Sequence, residues 1–505
     1  MPWLKKYLLW LLLSTGSFLS VCGQIDSTGL SVVDSAKTPS PTGSNNFLVD
    51  SIIRLYPDSS IVVRHINFIG NKKTRRVIML RELPFAEGDS IKISEMPALL
   101  SQAKRQLLNL SLFLIKDFDI AVTSNRAPFV DITIKVKERW YLLPLPHLKP
   151  IDRNLNEWLF ERGASASRLD YGVKLMYDNA TGNNDKLRFY FVTGYTKQLL
   201  LSYNRPYIDK NLKWGMNMSL ALGKTHEINY GTGRVGDSAN RQLFYSDRNG
   251  YPRNFFEGAV ELFYRPAFFT RHVFGLGYNT LRVADSVILK NPYYLNHGAT
   301  SLKYPEIYYK LIYQNLDYIP YPTKGYAGEI YLLKQGFNSK MNVWQLAVKG
   351  QGSWHLGQKL FYSISALGSI RVPFDQPYVN SQLLGYGDLN LRGYEPYVID
   401  GVAGGIVNAT LSKQLANFSL NLPLPKAIKK YTSTLIPLKI YGKVYGNMGY
   451  AHNPQPWAGS LSNRMLFGGG FGLDIFTDYD FTLKLEFSFN QLGQNGLYLH
   501  KKTLY

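Results

Sequence analysis

The C-terminal part of this chain alternates strictly between apolar and polar residues. From Phe481 to Asn490 every second residue is Phe or Leu, and the positions between them hold Thr, Lys, Glu, Ser and Asn. Because successive side chains of a strand point to opposite faces, this pattern predicts a strand with one apolar and one polar face. Such a strand fits the wall of a transmembrane barrel and equally a half-buried strand of a soluble sheet.

Repetition of the pattern favours the barrel. Similar segments recur from about Glu138 to the C-terminus, and clusters of Gly, Asn, Asp and Pro between them predict turns. The predicted strands include Lys186 to Tyr195, Leu212 to Leu222, Phe256 to Tyr264, Ile307 to Tyr313, Ala327 to Leu333, Leu360 to Ile370, Leu438 to Met448 and Leu466 to Phe476. We therefore predict that residues 140–505 form a membrane β-barrel of about 16 antiparallel strands.

Composition agrees with a barrel and excludes a helical membrane bundle. Of the 505 residues, 14% are aromatic, and the mean hydropathy is -0.16. Only half of each barrel strand faces lipid, so the average hydropathy stays low while Tyr and Phe collect near the membrane interfaces.

Residues 1–23 are predicted to be a secretory signal peptide. Lysines at positions 5 and 6 precede the apolar run Tyr7 to Leu13, which is too short to span a bilayer as a helix. Cleavage after Gly23 would leave Gln24 as the first mature residue. The alternative is a lipidated Cys22, although Val21 is large for the position before such a cysteine. Cys22 is the only cysteine in the sequence, so the rest of the chain forms no disulfide.

Residues 24–60 are predicted to be a flexible tether, because Ser27 to Asn46 is rich in Ser, Thr, Pro, Gly and Asn. A compact unit follows at 61–139. Val62 to Phe68 alternates as a strand, Lys73 to Leu83 has helical spacing, and Ser94 is placed to cap a helix from Glu95 to Leu110. Two further strands are predicted at Phe113 to Val122 and Phe129 to Lys137.

This unit resembles a POTRA domain over its whole length. The resemblance rests on four landmarks at a characteristic spacing: Ile66 to Asn71, Gly88-Asp89, Leu107 to Phe113 and Val130 to Val136. It implies a periplasmic domain that guides unfolded outer-membrane polypeptides. An open sheet edge can add a client strand through backbone hydrogen bonds, and the predicted client-binding edge carries Phe113, Ile115 and Ile120.

The segment near 374–403 contains the tripeptide Arg392-Gly393-Tyr394. By our count, about eleven strands precede it and five follow. In this position it resembles the Arg-Gly-aromatic motif of the BamA/TamA-like superfamily. The resemblance implies an extracellular loop that folds into the barrel, where the arginine pairs with acidic groups of the inner wall. The small residues of Gly468 to Gly472 are expected to make room for such a plug or to sharpen the curvature of the wall.

The sequence departs from that family at two expected partners of Arg392. It has Asn447 where relatives carry Asp, and Ser412 where they carry Glu. Neither side chain balances the charge of the arginine. Alternation places Asp474 and Glu486 on the inward face, so either carboxylate can take over this role.

Charge and motifs narrow the function. The net charge is +21, but the sequence contains no nucleic-acid recognition motif, so nucleic-acid binding is not expected. We expect the positive charges to contact anionic outer-membrane lipid or to line the barrel lumen. The eight His residues are scattered, with no metal-ligand spacing, and no cofactor or covalent catalysis is predicted.

We therefore expect an outer-membrane insertase or translocase with its POTRA domain in the periplasm. The expected partners are unfolded outer-membrane or secreted polypeptides, with periplasmic or lipoprotein accessory subunits. A secretion pore for one partner protein and a passive porin-like channel are the alternatives.

The resemblance also implies a lateral seam between the first and last strands. We predict these strands near Glu138 to Leu145 and Leu497 to Tyr505, after a turn at Asn495-Gly496. The seam residues are Leu142, Tyr498 and Tyr505. Prolines 144 and 146 each remove a backbone donor, so few clean pairs are expected here.

Overall fold

A computed structural model describes residues 59–500, except 116, 127, 152–156, 162, 237, 388, 422–434 and 478–481. The predicted signal peptide, nearly all of the predicted tether and the seam residue Tyr505 lie outside the described residues. None of the described helices is long and apolar enough to span a bilayer.

The first unit is a four-stranded sheet covered by two helices. Its strands lie in the order β2, β1, β4, β3, and β1 pairs with β4 in parallel. The apolar side chains of both helices and of the sheet form one core, with Val63, Met79, Leu107 and Ile132 fully buried. The elements in chain order are β1 (Ser60–Ile69), α1 (Arg76–Leu80), β2 (Ser90–Lys92), α2 (Met96–Asn109), β3 (Asp119–Arg126) and β4 (Phe129–Lys135).

Two local predictions for this unit are wrong. Helix α2 begins at Met96, and its N-cap residue, Glu95, makes no side-chain hydrogen bond. Ser94 lies in a preceding 3-10 turn, Ile93–Glu95, and the helix starts one residue later than predicted, with Pro97 in its first turn. The strand predicted from Phe113 begins only at Asp119, since Phe113 is fully buried and is held by an isolated bridge to Glu138.

The remaining strands and helices complete the chain. They are β5 (Leu142–Pro150), β6 (Leu169–Asp178), β7 (Lys186–Gly194), β8 (Thr196–Arg205), β9 (Trp214–Thr225), β10 (Glu227–Val235), β11 (Ser238–Ser246), β12 (Arg253–Tyr264), β13 (Thr270–Val283), α3 (Asp285–Lys290), β14 (Ser301–Leu316), β15 (Gly325–Asn338), β16 (Met341–Gly357), β17 (Leu360–Val372), α4 (Tyr378–Ser381), β18 (Gln382–Leu384), β19 (Ile399–Asp400), β20 (Ala403–Asn421), β21 (Leu435–His452), β22 (Leu466–Thr477), β23 (Thr482–Asn490) and β24 (Asn495–His500).

Sixteen of these strands form one antiparallel sheet that runs from β5 to β24. Neighbours in the chain are neighbours in the sheet, apart from the hairpin β10–β11 and the pair β18–β19, which lie in connecting loops. Eleven barrel strands precede Arg392 and five follow it, so the predicted fold class and strand count are confirmed.

Alternation along each strand separates an apolar exterior from a polar interior. On β13, for example, Phe274, Leu276 and Tyr278 are exposed, while the inward-facing Glu486 and Ser488 of β23 are buried. An exposed apolar belt on a closed or nearly closed sheet is stable only against lipid. The barrel is therefore a membrane-spanning unit.

The first unit packs against the short turns at one end of the barrel. Glu82, just after α1, receives two hydrogen bonds from the Arg265 guanidinium, at 2.5 and 2.8 Å. The Tyr207 hydroxyl donates to the same carboxylate at 2.8 Å. At the end of α2, the Asn109 amide donates to the Leu316 carbonyl and accepts from the Ile319 N–H. The long loops, including the one with Arg392, lie at the opposite end.

Candidate functional site: the inward loop and the barrel seam

The loop between β17 and β20 packs against the inner wall of the barrel. Its residues Leu384, Leu391, Tyr394 and Tyr397 are buried in one cluster. Wall residues contribute the other side of this cluster: Leu367, Ile406, Ala451 and Leu466. The apolar contact accounts for the inward course of a loop that is otherwise rich in Gly and polar residues.

Arg392 is held by side chains of three wall strands. Its Nε donates to the Asn447 Oδ1 at 3.1 Å, and its Nη2 donates to the Thr410 hydroxyl at 3.3 Å. The guanidinium lies 4.0 Å from the ring centre of Tyr445, in the range of a cation–π contact. Asn447 also donates from its Nδ2 to the Arg392 carbonyl at 2.7 Å. An ionised aspartate could not make this second bond, so asparagine here binds the loop backbone as well as the guanidinium.

Charge balance comes from Glu486 and a neighbouring lysine. The Arg392 Nη1 lies 3.5 Å from Glu486 Oε1, and the Lys443 ammonium lies 2.6 Å from the same carboxylate oxygen. Lys443 also contacts Asp474 at 2.5 Å, and Asp474 accepts a hydrogen bond from the Tyr321 hydroxyl at 3.0 Å. Two cations and two carboxylates therefore form one buried network of alternating charge.

Ser412 lies beside the Tyr321 hydroxyl of this network and does not contact Arg392. It is in register with Lys443 across β20 and β21 and forms no hydrogen bond with Arg392 in the described part of the chain. Thr410, two residues earlier on the same face of β20, makes that contact instead.

The backbone at Gly393 lies directly against the wall. Gly393 has a φ of 88°, and a Cβ there would lie 2.7 Å from the Phe489 carbonyl oxygen. On the wall side, a Cβ at Gly468 would lie 2.4 Å from the Arg392 carbonyl oxygen. The glycine run of β22 thus makes room for the loop, and Asn490 secures it by donating to the Gly393 carbonyl at 2.7 Å. Tyr394, which is nearly fully buried, donates to the Phe467 carbonyl at 3.2 Å.

His500 connects this network to the last strand. Its Nδ1 lies 2.5 Å from Glu486 Oε2, and its Nε2 lies 3.8 Å from Glu395 of the loop. Burial raises the pKa of Glu395. Sequence reasoning missed His500, Lys443 and Thr410, although alternation along β24, β21 and β20 places all three on the inward face.

The end strands of the sheet form the seam. β24 pairs with β23 over six residues, β5 pairs with β6, and the described residues contain no pairing between β5 and β24. β5 begins at Leu142 instead of Glu138, because Arg139 is buried in the first unit and donates to the Phe113 carbonyl. Asn495 and Gly496 pair with Phe489 and Ser488 inside the ladder, so the turn predicted there is wrong and lies at 491–494.

The edge strands of the first sheet are β2 and β3, and the position of β3 changes the predicted client-binding residues. Ile120 lies on β3 opposite Ile134, with the other side of the strand unpaired in the described residues. Phe113 and Ile115 precede the strand and pack into the core, so their assignment to the edge is wrong. Phe113, Leu114 and Ile115 form a continuous apolar run, which suits a buried connection instead of a half-exposed edge strand.

Comparison with known proteins identifies the first unit and the overall architecture. Residues 61–139 match the POTRA family model, described as a surface antigen variable number repeat. The chain is similar in structure to CdiB from Escherichia coli. The match covers 98% of this chain and 96% of that chain, with a TM-score of 0.52 and 12% identity. The chain therefore consists of a POTRA domain followed by a barrel with the fold of CdiB. No curated protein matches its sequence.

Two further solved structures are similar to this POTRA barrel. BamA from Haemophilus ducreyi lacking POTRA domains 1–3 is 16% identical, with a TM-score of 0.48 over 87% of this chain and 83% of that chain. CdiB from Acinetobacter baumannii is 13% identical, with a TM-score of 0.44 over 90% and 80% of the two chains. With its apolar belt and POTRA domain, the protein is placed in the bacterial outer membrane, the POTRA domain facing the periplasm.

The loop also carries a titratable contact outside the membrane wall. Asp400 is buried and accepts a hydrogen bond from the Thr232 hydroxyl at 3.1 Å. The hydroxyls of Tyr378 and Tyr386, both neutral, surround Thr232 at 3.0 and 3.4 Å. Burial raises the pKa of Asp400 from 3.8 to about 7.

This shift predicts that the loop docks less firmly as the pH rises. The docked state favours the protonated acid, so this contribution is complete below about pH 4 and is lost as the pH passes through about 7. Protease cleavage within 389–400 should therefore increase between about pH 5 and about pH 8. Asp400→Asn keeps an acceptor for Thr232 and should abolish the increase. An unchanged pH profile in this variant would rule Asp400 out as the cause.

Proposed function

We propose that this protein is an outer-membrane insertase or translocase for polypeptides, acting without covalent catalysis. The single observation that carries the proposal is the end of the barrel sheet, where β5 and β24 lack pairing in the described residues. Unpaired backbone donors and acceptors at such an edge can add a client strand.

The composition of β5 supports a weak junction. Pro144, Pro146 and Pro150 each lack a backbone N–H. β24 contributes only six described residues, whereas a strand that crosses a membrane has about 9 to 11. Opening here costs fewer hydrogen bonds than opening any neighbouring pair. A client that adds to the edge could then leave sideways into lipid.

The POTRA edge supports capture of clients before they reach the barrel. β3 is one of the two outer strands of its sheet, and backbone pairing along it accepts many sequences. Its polar residues, among them Thr123 and Ser124, keep this edge soluble in the absence of a client.

Ile120→Pro should reduce capture of client chains. Proline removes one backbone donor of β3 and fixes φ, which interrupts pairing along the strand. Crosslinking of the POTRA domain to nascent barrel proteins should fall several-fold, with circular dichroism reporting the fold. Thr123→Val, which leaves the backbone free to pair, is the matched control. A folded proline variant that still crosslinks at the wild-type level would contradict a role for this edge.

Depletion of the protein, followed by proteomics of the outer membrane and of the secreted fraction, tests the function itself. Loss of many barrel proteins supports insertion, and loss of one secreted protein supports a dedicated secretion pore. No change in either fraction would contradict both and favour a passive channel. Co-purification in the same experiment would identify periplasmic or lipoprotein accessory subunits.

A further inference from the structure

Four cations lie on the outer face of the barrel near its extracellular rim. Lys197 on β8 is directly opposite Lys224 on β9, and Lys224 is opposite Asn254 on β12. Asn254 is in turn opposite Arg282 on β13, so three of the four cations share one row across the sheet. The fourth, Lys303 on β14, is opposite Thr280, two residues from Arg282 on the same face.

The row marks the upper boundary of the lipid-facing belt. Leu199 and Leu222 are directly opposite each other, two residues below Lys197 and Lys224 on the same face. Leu276 on β13 is 61% exposed and Ile307 on β14 is 49% exposed, also on this face. Beyond the row, the chain enters the long loops at the end of the barrel that lies opposite the POTRA domain. The four side chains therefore leave the barrel where acyl chains end and head groups begin.

The protein itself leaves these charges unbalanced. Like charges directly opposite each other on a sheet are destabilising, as for Lys197 and Lys224. Both ammonium groups lie over the ring of Tyr251, at 5.5 and 4.1 Å from its centre. That contact offsets part of the repulsion but supplies no negative charge. None of the four cations forms an ion pair with a described carboxylate.

We propose that Lys197, Lys224, Arg282 and Lys303 bind the phosphate groups of a lipid head group in the outer leaflet. A phosphate offers several acceptor oxygens, which neighbouring ammonium and guanidinium groups among these three lysines and one arginine can share. The apolar belt directly below accommodates the acyl chains of the same molecule, so the occupant is a lipid and not a free phosphate ion. Tyr251 suits this depth, because aromatic rings with a polar tip collect at membrane interfaces.

Native mass spectrometry of the detergent-solubilised full-length protein, titrated with bisphosphorylated lipid A, tests the site. Each cation near an anionic head group strengthens binding by about fivefold, so Lys197→Gln with Lys224→Gln should weaken it roughly 20-fold. Lys197→Arg with Lys224→Arg keeps the charges and should bind as the wild type does. Lys340→Gln removes a lysine from the exposed turn between β15 and β16, outside the row, and should also leave binding unchanged.

Lipid A without phosphates should bind the wild type even more weakly than the double glutamine variant binds the phosphorylated form, because Arg282 and Lys303 still contact phosphate in that variant. Inorganic phosphate at millimolar concentration should not displace the lipid. Equal affinity of the wild type and the double glutamine variant, in protein whose heat-modifiable gel mobility reports a folded barrel, would overturn the proposal. So would equal binding of the dephosphorylated lipid or displacement by inorganic phosphate.

Discussion

Replacement of Arg392 by alanine is expected to release the loop between β17 and β20 from the barrel wall. The substitution removes the hydrogen bonds to Asn447 and Thr410, the contact with the Tyr445 ring and one cation of the buried network. Breaking a buried pair costs about 3–5 kcal/mol, and the value here should fall toward the lower end because Lys443 still neutralises Glu486. Arg392→Lys keeps the charge but loses the planar fork, so it should release the loop only in part.

Protease access to residues 389–400 in intact cells measures this release. Cleavage should be fastest for Arg392→Ala, intermediate for Arg392→Lys and slowest for the wild type. Arg248→Ala removes an arginine from an exposed extracellular loop and should leave the rate unchanged. Equal rates in the wild type and both Arg392 variants would show that the arginine does not hold the loop.

The architecture could be predicted from the sequence because its signals are local. Alternation fixes the two faces of a strand, and turn residues separate one strand from the next, so the count of eleven strands before Arg392 and five after it followed from short windows. The inward direction of Glu486 and Asp474 followed from the same alternation. The contact between the glycine run of β22 and the loop could also be predicted, because only small residues let two backbone segments approach closely.

The composition of the site could not be predicted, because it depends on register between distant strands. Lys443 and Glu486 lie on β21 and β23, and no local pattern shows that the two side chains meet across β22. His500 reaches Glu486 through the short ladder between β23 and β24, and a search for metal-ligand spacing gave it no role. The polar character of Asn447 suggested a lost charge, whereas its amide makes two different contacts with Arg392.

The start of the POTRA edge strand could not be predicted from the sequence for a different reason. The segment from Phe113 to Phe118 contains apolar residues at intervals that suit a strand, yet its backbone forms only an isolated bridge. Phe113 is drawn into the core by α2 and β4, since a large aromatic side chain gains more from full burial than from a place on an edge. Burial of this kind depends on the packing of the whole unit.

The second large effect concerns the seam. A disulfide between β5 and β24 should block the insertion or export of client chains. These two strands have no backbone pairing in the described residues, and a covalent bond between them would prevent the seam from opening. The sequence contains a single cysteine, Cys22, so an introduced pair meets little native competition. Leu142→Cys with Tyr498→Cys is the first pair to make, followed by neighbouring positions along both strands. Leu485→Cys with Leu499→Cys joins β23 and β24, which are already paired, and is the matched control.

The most direct measurement is the rate at which client chains are inserted or exported by the seam-crosslinked protein, before and after reduction, in the same proteoliposomes. The account predicts at least a tenfold lower rate, or about 1.4 kcal/mol or more in the barrier, for the oxidised seam pair, with recovery after reduction and no change in the control pair. A disulfide that forms fully across the seam and leaves the rate unchanged would contradict lateral opening as the mechanism.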